Sequence, residues 1–157
     1  MTHPVHSGGC QCGAIRYRIT AKLEGAGLCH CRMCQKASGN LALPLVRVPN
    51  IALQWTRGKP AEYRSSPIVA RGFCNQCGTP LYMLEDGDLA YEITIGSLDN
   101  PSECPPDHAV GLESKIPWFD ELGSLPGITT GDDRTPQDLA KLATNQHPDT
   151  DTGKWPA

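Results

Sequence analysis

The segments Gly9-Cys10-Gln11-Cys12-Gly13 and Phe73-Cys74-Asn75-Gln76-Cys77-Gly78 decide the fold of this chain. Cysteines separated by one or two residues place two sulfurs on one side of a tight turn. This arrangement suits a metal ion, whereas disulfide frameworks usually spread cysteines along the chain to close long loops. In both segments a glycine follows the second cysteine, where the backbone must turn its amides toward a thiolate. The simplest pairing predicts one closed, four-cysteine metal site that joins the amino terminus to the middle of the chain.

A third segment, Cys29-His30-Cys31-Arg32-Met33-Cys34, supplies three further cysteines. Closed zinc sites use four ligands, so three protein ligands leave one coordination position open, as catalytic zinc sites do. We expect the clustered cysteines to bind zinc, whose borderline softness suits thiolate ligands. This interpretation is favoured over an iron–sulfur cluster and over a redox-active cysteine pair. Two alternatives remain: the second site takes a fourth structural ligand such as Cys104, or one of its thiols binds nothing. Otherwise Cys104 is expected to be a free thiol.

The composition of the chain argues against several classes of protein. The 157 residues suffice for one domain, and 16 glycines with 14 prolines favour short strands and turns over a helix bundle. A formal net charge of −3 provides no long-range positive field to gather nucleic acid. No segment approaches the roughly 18–20 apolar residues of a membrane span, and residues 1–10 lack a signal-peptide pattern. We expect a cytoplasmic protein without nucleic-acid or membrane partners, whose oligomeric state the sequence leaves open.

Seven short segments alternate apolar and polar residues and are separated by turn-forming residues, which predicts a small antiparallel β fold. These segments are residues 14–20, 41–48, 52–56, 62–65, 68–73, 79–84 and 90–95. Residues 32–38 are predicted to form a short helix that closes the third cysteine segment. Thr135 as N-cap and Pro136 after it predict a second helix to about residue 144. We therefore divide the chain into a zinc-binding domain, 1–128, and a polar helix and tail, 129–157.

The three cysteine segments, in this order, resemble the glutathione-dependent formaldehyde-activating enzyme family, also called S-(hydroxymethyl)glutathione synthase-like. Segments around Gly96, His108 and Trp118 extend the resemblance, which covers about residues 7–126. It implies a zinc-stapled antiparallel β-tent fold with short peripheral helices. It also implies two zinc ions per chain: a structural ion on Cys10, Cys12, Cys74 and Cys77, and a catalytic ion on Cys29, Cys31 and Cys34.

The chemistry expected of an open thiolate-ligated zinc is preparation of a sulfur nucleophile, because coordination deprotonates a thiol. The predicted reaction is a carbon–sulfur lyase-type addition of glutathione to a small aldehyde such as formaldehyde. Arg32 and Lys36 flank the third segment and are candidates to bind glutathione carboxylates, although cations near such sites often only balance thiolate charge. His108 is the acid–base candidate because the resemblance includes it. His30 lies between two ligands and is expected to pack or to hydrogen-bond behind the site.

A second interpretation belongs to a different class of protein. The chain would be a non-catalytic, zinc-stabilised β module that binds a protein or a small thiol ligand. A third and weaker one, a methionine-sulfoxide-type reductase on the same fold, needs a reactive cysteine outside the zinc sets, and only Cys104 is spare. Metal occupancy at Cys29, Cys31 and Cys34 distinguishes the enzyme from the module.

Overall fold

A computed structural model describes residues 4–155, which contain ten strands and three α-helices. The strands are β1 His6–Gly9, β2 Arg16–Ile19, β3 Glu24–Cys29, β4 Leu43–Pro49, β5 Leu53–Arg57, β6 Ala61–Arg64, β7 Val69–Phe73, β8 Pro80–Glu85, β9 Ala90–Thr94 and β10 His108–Val110. The α-helices are α1 Arg32–Ser38, α2 Thr130–Asp133 and α3 Pro136–Lys141. Short 3-10 helices span Asn50–Ala52, Ile95–Ser97, Pro101–Glu103, Leu112–Ser114 and Phe119–Ser124.

The strands form two sheets. The smaller has the order β1-β2-β5, and the larger has the order β10-β3-β4-β9-β8-β7-β6. Neighbouring strands run antiparallel except β10 and β3, which pair in parallel with His108 opposite Gly27 and Val110 opposite Cys29. The mainly β, antiparallel class predicted from the sequence is confirmed.

Strand β4 shows why the larger sheet has two different faces. Its side chains alternate, so Val46 and Val48 point into the main core while Leu43 and Leu45 pack on the opposite face with Cys34. The main core fills the space between the two sheets with buried apolar and aromatic side chains, among them Tyr17 and Ile93. The smaller cluster on the other face is where the third cysteine segment lies.

All seven predicted strands are present, and α1 has the predicted bounds. Thr135 caps α3 as predicted, accepting a hydrogen bond from the backbone N–H of Asp138, but the helix ends at Lys141 and is shorter than expected. Strands β1, β3 and β10 were not predicted. No helix in residues 4–155 is long and apolar enough to span a bilayer.

The carboxy-terminal segment, residues 147–155, packs against the first cysteine turn. The backbone N–H of His147 donates to the carbonyl of Gln11 at 2.7 Å, and the His147 ring is buried. Asp151 accepts a hydrogen bond from Arg16 at 2.8 Å. Gly13, at φ 73°, faces the His147 and Trp155 rings, where a β-carbon would come within 2.4 Å of His147. No local pattern of residues indicates this contact.

Candidate functional site

The structure brings the first two cysteine segments together as a four-cysteine cluster: Cys10, Cys12, Cys74 and Cys77, whose sulfurs all lie within 4.8 Å of one another. The first pair follows β1 and the second follows β7, so the cluster joins the two sheets. The two turns are built alike, because the N–H of Gly13 bonds to the Cys10 carbonyl and the N–H of Gly78 to the Cys74 carbonyl. Both glycines have a positive φ, which lets each turn close around sulfur.

The thiols of the four-cysteine cluster differ in acidity. Burial raises the pKa of Cys10 to about 12. Burial acts in the same direction on Cys77, but hydrogen bonds from the hydroxyl and the backbone of Thr79 outweigh it and lower the pKa of Cys77 to about 6. The cluster therefore reaches four thiolates only when a cation displaces the remaining protons.

The third segment forms a three-cysteine cluster, Cys29, Cys31 and Cys34, with sulfurs again within 4.8 Å of one another. Cys29 ends β3, Cys31 is the N-cap of α1 and Cys34 lies in its first turn, so one strand-to-helix connection gathers all three. The Cys31 sulfur accepts the backbone N–H of Cys34 at 3.3 Å, as an N-cap side chain does. Gly111 permits close packing on this turn, since a β-carbon there would lie 2.6 Å from the Cys31 nitrogen.

Acidity varies within the three-cysteine cluster as well. Burial raises the pKa of Cys29 to about 12. At Cys31 the hydrogen bond from the backbone N–H of Cys34 and those from the neighbouring thiols outweigh burial, so the pKa of Cys31 is lowered. Burial raises the pKa of Cys34, against the opposing hydrogen bond from Arg71. Cys31 is thus the one thiol of this cluster whose pKa is lowered, while the pKa values of its two partners are raised.

Both clusters fit a tetrahedral thiolate-binding metal. A zinc ion with Zn–S bonds of about 2.3 Å holds its sulfurs about 3.8 Å apart. The Cys10–Cys12 and Cys12–Cys74 sulfur separations are 3.6 and 3.8 Å, far beyond a disulfide bond. All eight cysteines are free thiols, and Cys104 lies buried in the main core, outside both clusters. The two clusters can each hold a metal ion, and Cys104 does not supply the fourth ligand of the second.

The residues behind the three-cysteine cluster hold it in place. His30 is buried and packs edge-to-face on the Phe119 ring, with centroids 4.6 Å apart, so its predicted packing role is confirmed. The buried Gln35 side chain donates to the His30 carbonyl at 2.7 Å and to the Ser114 carbonyl at 3.0 Å. These contacts fix the start of α1 against the loop after β10.

A cleft of about 550 Å³, here called the helix cleft, opens beside Cys34 between α1 and strands β6–β8. Lys36 and Arg71 line it together with apolar side chains such as Met33, Tyr63 and Phe73. A mostly apolar cleft with two cations suits a ligand that carries carboxylates on an organic body.

A second cleft of about 390 Å³, here called the histidine cleft, is lined by Cys29, His108, Arg47 and Glu92. The His108 ring lies over Gly27, where a β-carbon would come within 2.6 Å of Nε2. Asp107 bonds Nδ1 of His108 at 2.6 Å. The three-cysteine cluster therefore lines the histidine cleft through Cys29 and adjoins the helix cleft through Arg71, which donates to the Cys34 sulfur.

The candidate cations of α1 are placed differently. Lys36 lines the helix cleft, whereas the Arg32 guanidinium donates to the Gln35 side chain at 3.0 Å and lines neither cleft. The structure also shows a contact that sequence reasoning missed, a hydrogen bond from Arg71 to the Cys34 sulfur at 3.4 Å. These two residues are 37 positions apart, so only the strand arrangement reveals their proximity.

Comparison with known proteins agrees with this arrangement. Residues 5–114 match the glutathione-dependent formaldehyde-activating enzyme family. The uncharacterized lyase C29B12.13 of Schizosaccharomyces pombe is 32% identical over 120 residues, which cover 74% of this chain and 85% of the relative. A crystal structure of a Rhodobacter sphaeroides protein shares the fold, with a TM-score of 0.54 at 19% identity over 66% of this chain and 99% of that one.

The chain belongs to the glutathione-dependent formaldehyde-activating enzyme family, and the resemblance carried by its cysteine segments is confirmed. Family membership and the lyase-named relative support an enzyme of lyase type. The match ends before α2, so α2, α3 and the carboxy-terminal segment lie outside it.

Proposed function

We propose that the protein is a zinc-dependent carbon–sulfur lyase-type enzyme that joins glutathione to formaldehyde or a similar small aldehyde, giving S-(hydroxymethyl)glutathione. The observation that carries the proposal is the three-cysteine cluster, which groups three sulfurs beside the two clefts and, within residues 4–155, gathers no fourth ligand residue. The four-cysteine cluster is assigned a structural zinc and the three-cysteine cluster a catalytic one. When bound there, the catalytic ion supplies a coordination position at which a substrate thiol is held as thiolate.

The chain's own residues bind and orient the substrates. Lys36 in the helix cleft attracts a carboxylate of glutathione, and Arg32 at the start of α1 adds a second positive charge nearby. The thiol sulfur attacks the carbonyl carbon; a carbon–sulfur bond forms and the carbon–oxygen π bond breaks. His108 in the histidine cleft gives a proton to the former carbonyl oxygen, which becomes the hydroxyl group, and the proton released by the thiol replaces it on His108, while Asp107 fixes Nδ1 of the ring.

The remaining assignments follow from the same proposal. We assign the catalytic domain to residues 1–128 and a polar helix and tail to residues 129–157, of which residues 147–155 pack against the first cysteine turn. Glutathione occurs in the cytoplasm, which is the compartment we propose for the enzyme.

Calorimetric titration of the zinc-loaded protein with glutathione and with S-methylglutathione tests the proposal. S-methylglutathione keeps both carboxylates and cannot present a thiolate, so preferential binding of glutathione is expected. Exchange of formaldehyde with S-(hydroxymethyl)glutathione, followed by NMR, should accelerate with wild-type protein and not with Cys31→Ser. Equal affinity for both compounds would mean that the metal does not contact the sulfur, and failure of both compounds to bind at millimolar concentration would favour the non-catalytic module.

A further inference from the structure

Two buried arginines in this structure are partnered in opposite ways. Arg16 is 3% exposed and has carboxylate oxygens of Asp99 and Asp151 within 2.8 Å. Arg71 is 8% exposed, and within residues 4–155 it pairs with no carboxylate at ion-pair distance. Its Nε donates to the Ser65 hydroxyl at 3.1 Å, and its Nη2 donates to the Cys34 sulfur at 3.4 Å. A carboxylate of residues 4–155 therefore does not balance the positive charge of Arg71.

Of the two side-chain groups in residues 4–155 that accept hydrogen bonds from Arg71, the Cys34 sulfur is the one that becomes an anion on binding a metal. A guanidinium stays protonated in proteins, and a buried charge without a partner is costly. Three thiolates around a divalent ion leave one negative charge, which a single guanidinium balances. The four-cysteine cluster differs: its sulfurs accept hydrogen bonds from the Ile15 and Gln76 backbone amides and contact the Thr79 hydroxyl, and no described arginine donates to them.

We propose that Arg71 is a charge-balancing and positioning residue for a divalent metal at the three-cysteine cluster, acting through Cys34. Ser65 holds Nε and thereby aims Nη2 at the sulfur. With its charge balanced, the centre admits a further anionic ligand, such as a substrate thiolate, without the repulsion that an unbalanced centre would exert. This inference rests on the second metal ion of the proposed function.

Two substitutions of Arg71 separate the effect of its positive charge from the effect of its planar shape. Arg71→Gln removes the charge and keeps a donor, whereas Arg71→Lys keeps the charge and loses the planar fork. Each protein is titrated with cobalt(II), a spectroscopic substitute for zinc, and metal affinity and the thiolate-to-cobalt charge-transfer band are recorded. The four-cysteine cluster of the same chain is the internal control.

For Arg71→Gln we expect tenfold to a hundredfold weaker binding at the three-cysteine cluster, roughly the effect of removing a partner of a metal ligand. The charge-transfer band should move to lower energy, because a sulfur that loses a hydrogen bond gives up electrons more readily. Arg71→Lys should recover most of the affinity, and binding at the four-cysteine cluster should be unchanged in both variants. Wild-type affinity and band in Arg71→Gln, or equal losses in the two variants, would overturn the proposal.

Ser65→Ala keeps the test decisive if Arg71→Gln does not fold. Loss of the hydroxyl frees Nε and loosens Nη2, so about twofold to tenfold weaker cobalt binding and the same direction of band shift are expected. Unchanged affinity and band would contradict the proposal. The proposed function fails separately: wild-type protein that takes up one equivalent of cobalt lacks the second ion, whereas two equivalents with unaltered variants refute only the role of Arg71.

Discussion

The four-cysteine and three-cysteine clusters use the same ligand atom and differ in how the chain gathers it. The first takes its sulfurs from two turns that are far apart in the sequence, one after β1 and one after β7, and residues 147–155 pack over its first turn. The second takes all its sulfurs from one strand-to-helix connection and borders two clefts. A metal at the first links distant segments and so stabilises the fold, whereas a metal at the second adds little cross-linking and is free for chemistry.

The largest expected effect separates the clusters by stability. Cys74→Ser should unfold or aggregate the protein, because a structural zinc contributes about 10 kcal/mol or more and a domain of this size is stable by about 5–15 kcal/mol. Cys31→Ser is the matched variant in the other cluster and should stay folded. Circular dichroism during heating, with zinc counted per chain, measures both. Equal melting temperatures for Cys74→Ser and wild type would refute the structural assignment.

Release of metal to a chelator also distinguishes the three-cysteine cluster from the four-cysteine cluster. A chelator of moderate strength should remove about half of the zinc, the ion at the three-cysteine cluster, while the circular dichroism spectrum stays native. The reason is that three ligands beside two clefts leave that ion accessible, whereas the other ion is enclosed by four. Zinc content and spectrum are followed together at increasing chelator concentration. Simultaneous loss of both ions and of the fold would make the second site structural as well.

Substrate affinity gives the next effect in size. Lys36→Ala should weaken glutathione binding by roughly tenfold to a hundredfold, since a charge-assisted contact contributes about 1.5–3 kcal/mol. Arg32→Ala is the matched cation on the same helix and should have a smaller effect, because the Arg32 guanidinium already bonds Gln35. Calorimetry on the zinc-loaded variants measures both. A larger loss for Arg32→Ala would move the carboxylate site from the helix cleft to the start of α1.

The sequence predicted the parts of this structure that local spacing controls. Cysteines separated by one or two residues predict the two clusters. Alternating apolar and polar residues between turn-forming residues predict seven of the strands. Strand β3, Glu-Gly-Ala-Gly-Leu-Cys, has two glycines and no alternation, and β10 has only three residues. Both become strands by pairing with neighbours, β3 with β4 and β10 with β3, which a local pattern does not reveal.

The missed parts of the site share one physical cause. The contact of Arg71 with Cys34 depends on the position of β7 relative to α1 across the larger sheet, and that of His147 with Gln11 depends on the path of the chain after α3. Spacing within a segment carries no information about such distant pairs. The sequence therefore predicted which sulfurs come together more completely than it predicted which charged groups surround them.

The smallest expected effect concerns residues 147–155, which pack against the first turn of the four-cysteine cluster. Asp151 is partly exposed and pairs with the buried Arg16, so Asp151→Asn should reduce stability by about 1 kcal/mol, a drop of about 2–4 °C in melting temperature at neutral pH. Arg16 lowers the pKa of Asp151 below its ordinary value of 3.8, so this stabilisation is present above that value and is lost as the pH falls through the lowered pKa.

The difference in melting temperature between wild type and Asp151→Asn should therefore stay constant from about pH 5 to 8 and narrow only in more acidic solution. Comparing the two proteins at each pH removes the loss of metal that acid causes in both. Asp149→Asn is the control from the same segment, since Asp149 pairs with no cation among the described residues. If Asp149→Asn lowers the melting temperature as much as Asp151→Asn does, the stabilisation by residues 147–155 depends on the general charge of this segment and not on the ion pair with Arg16.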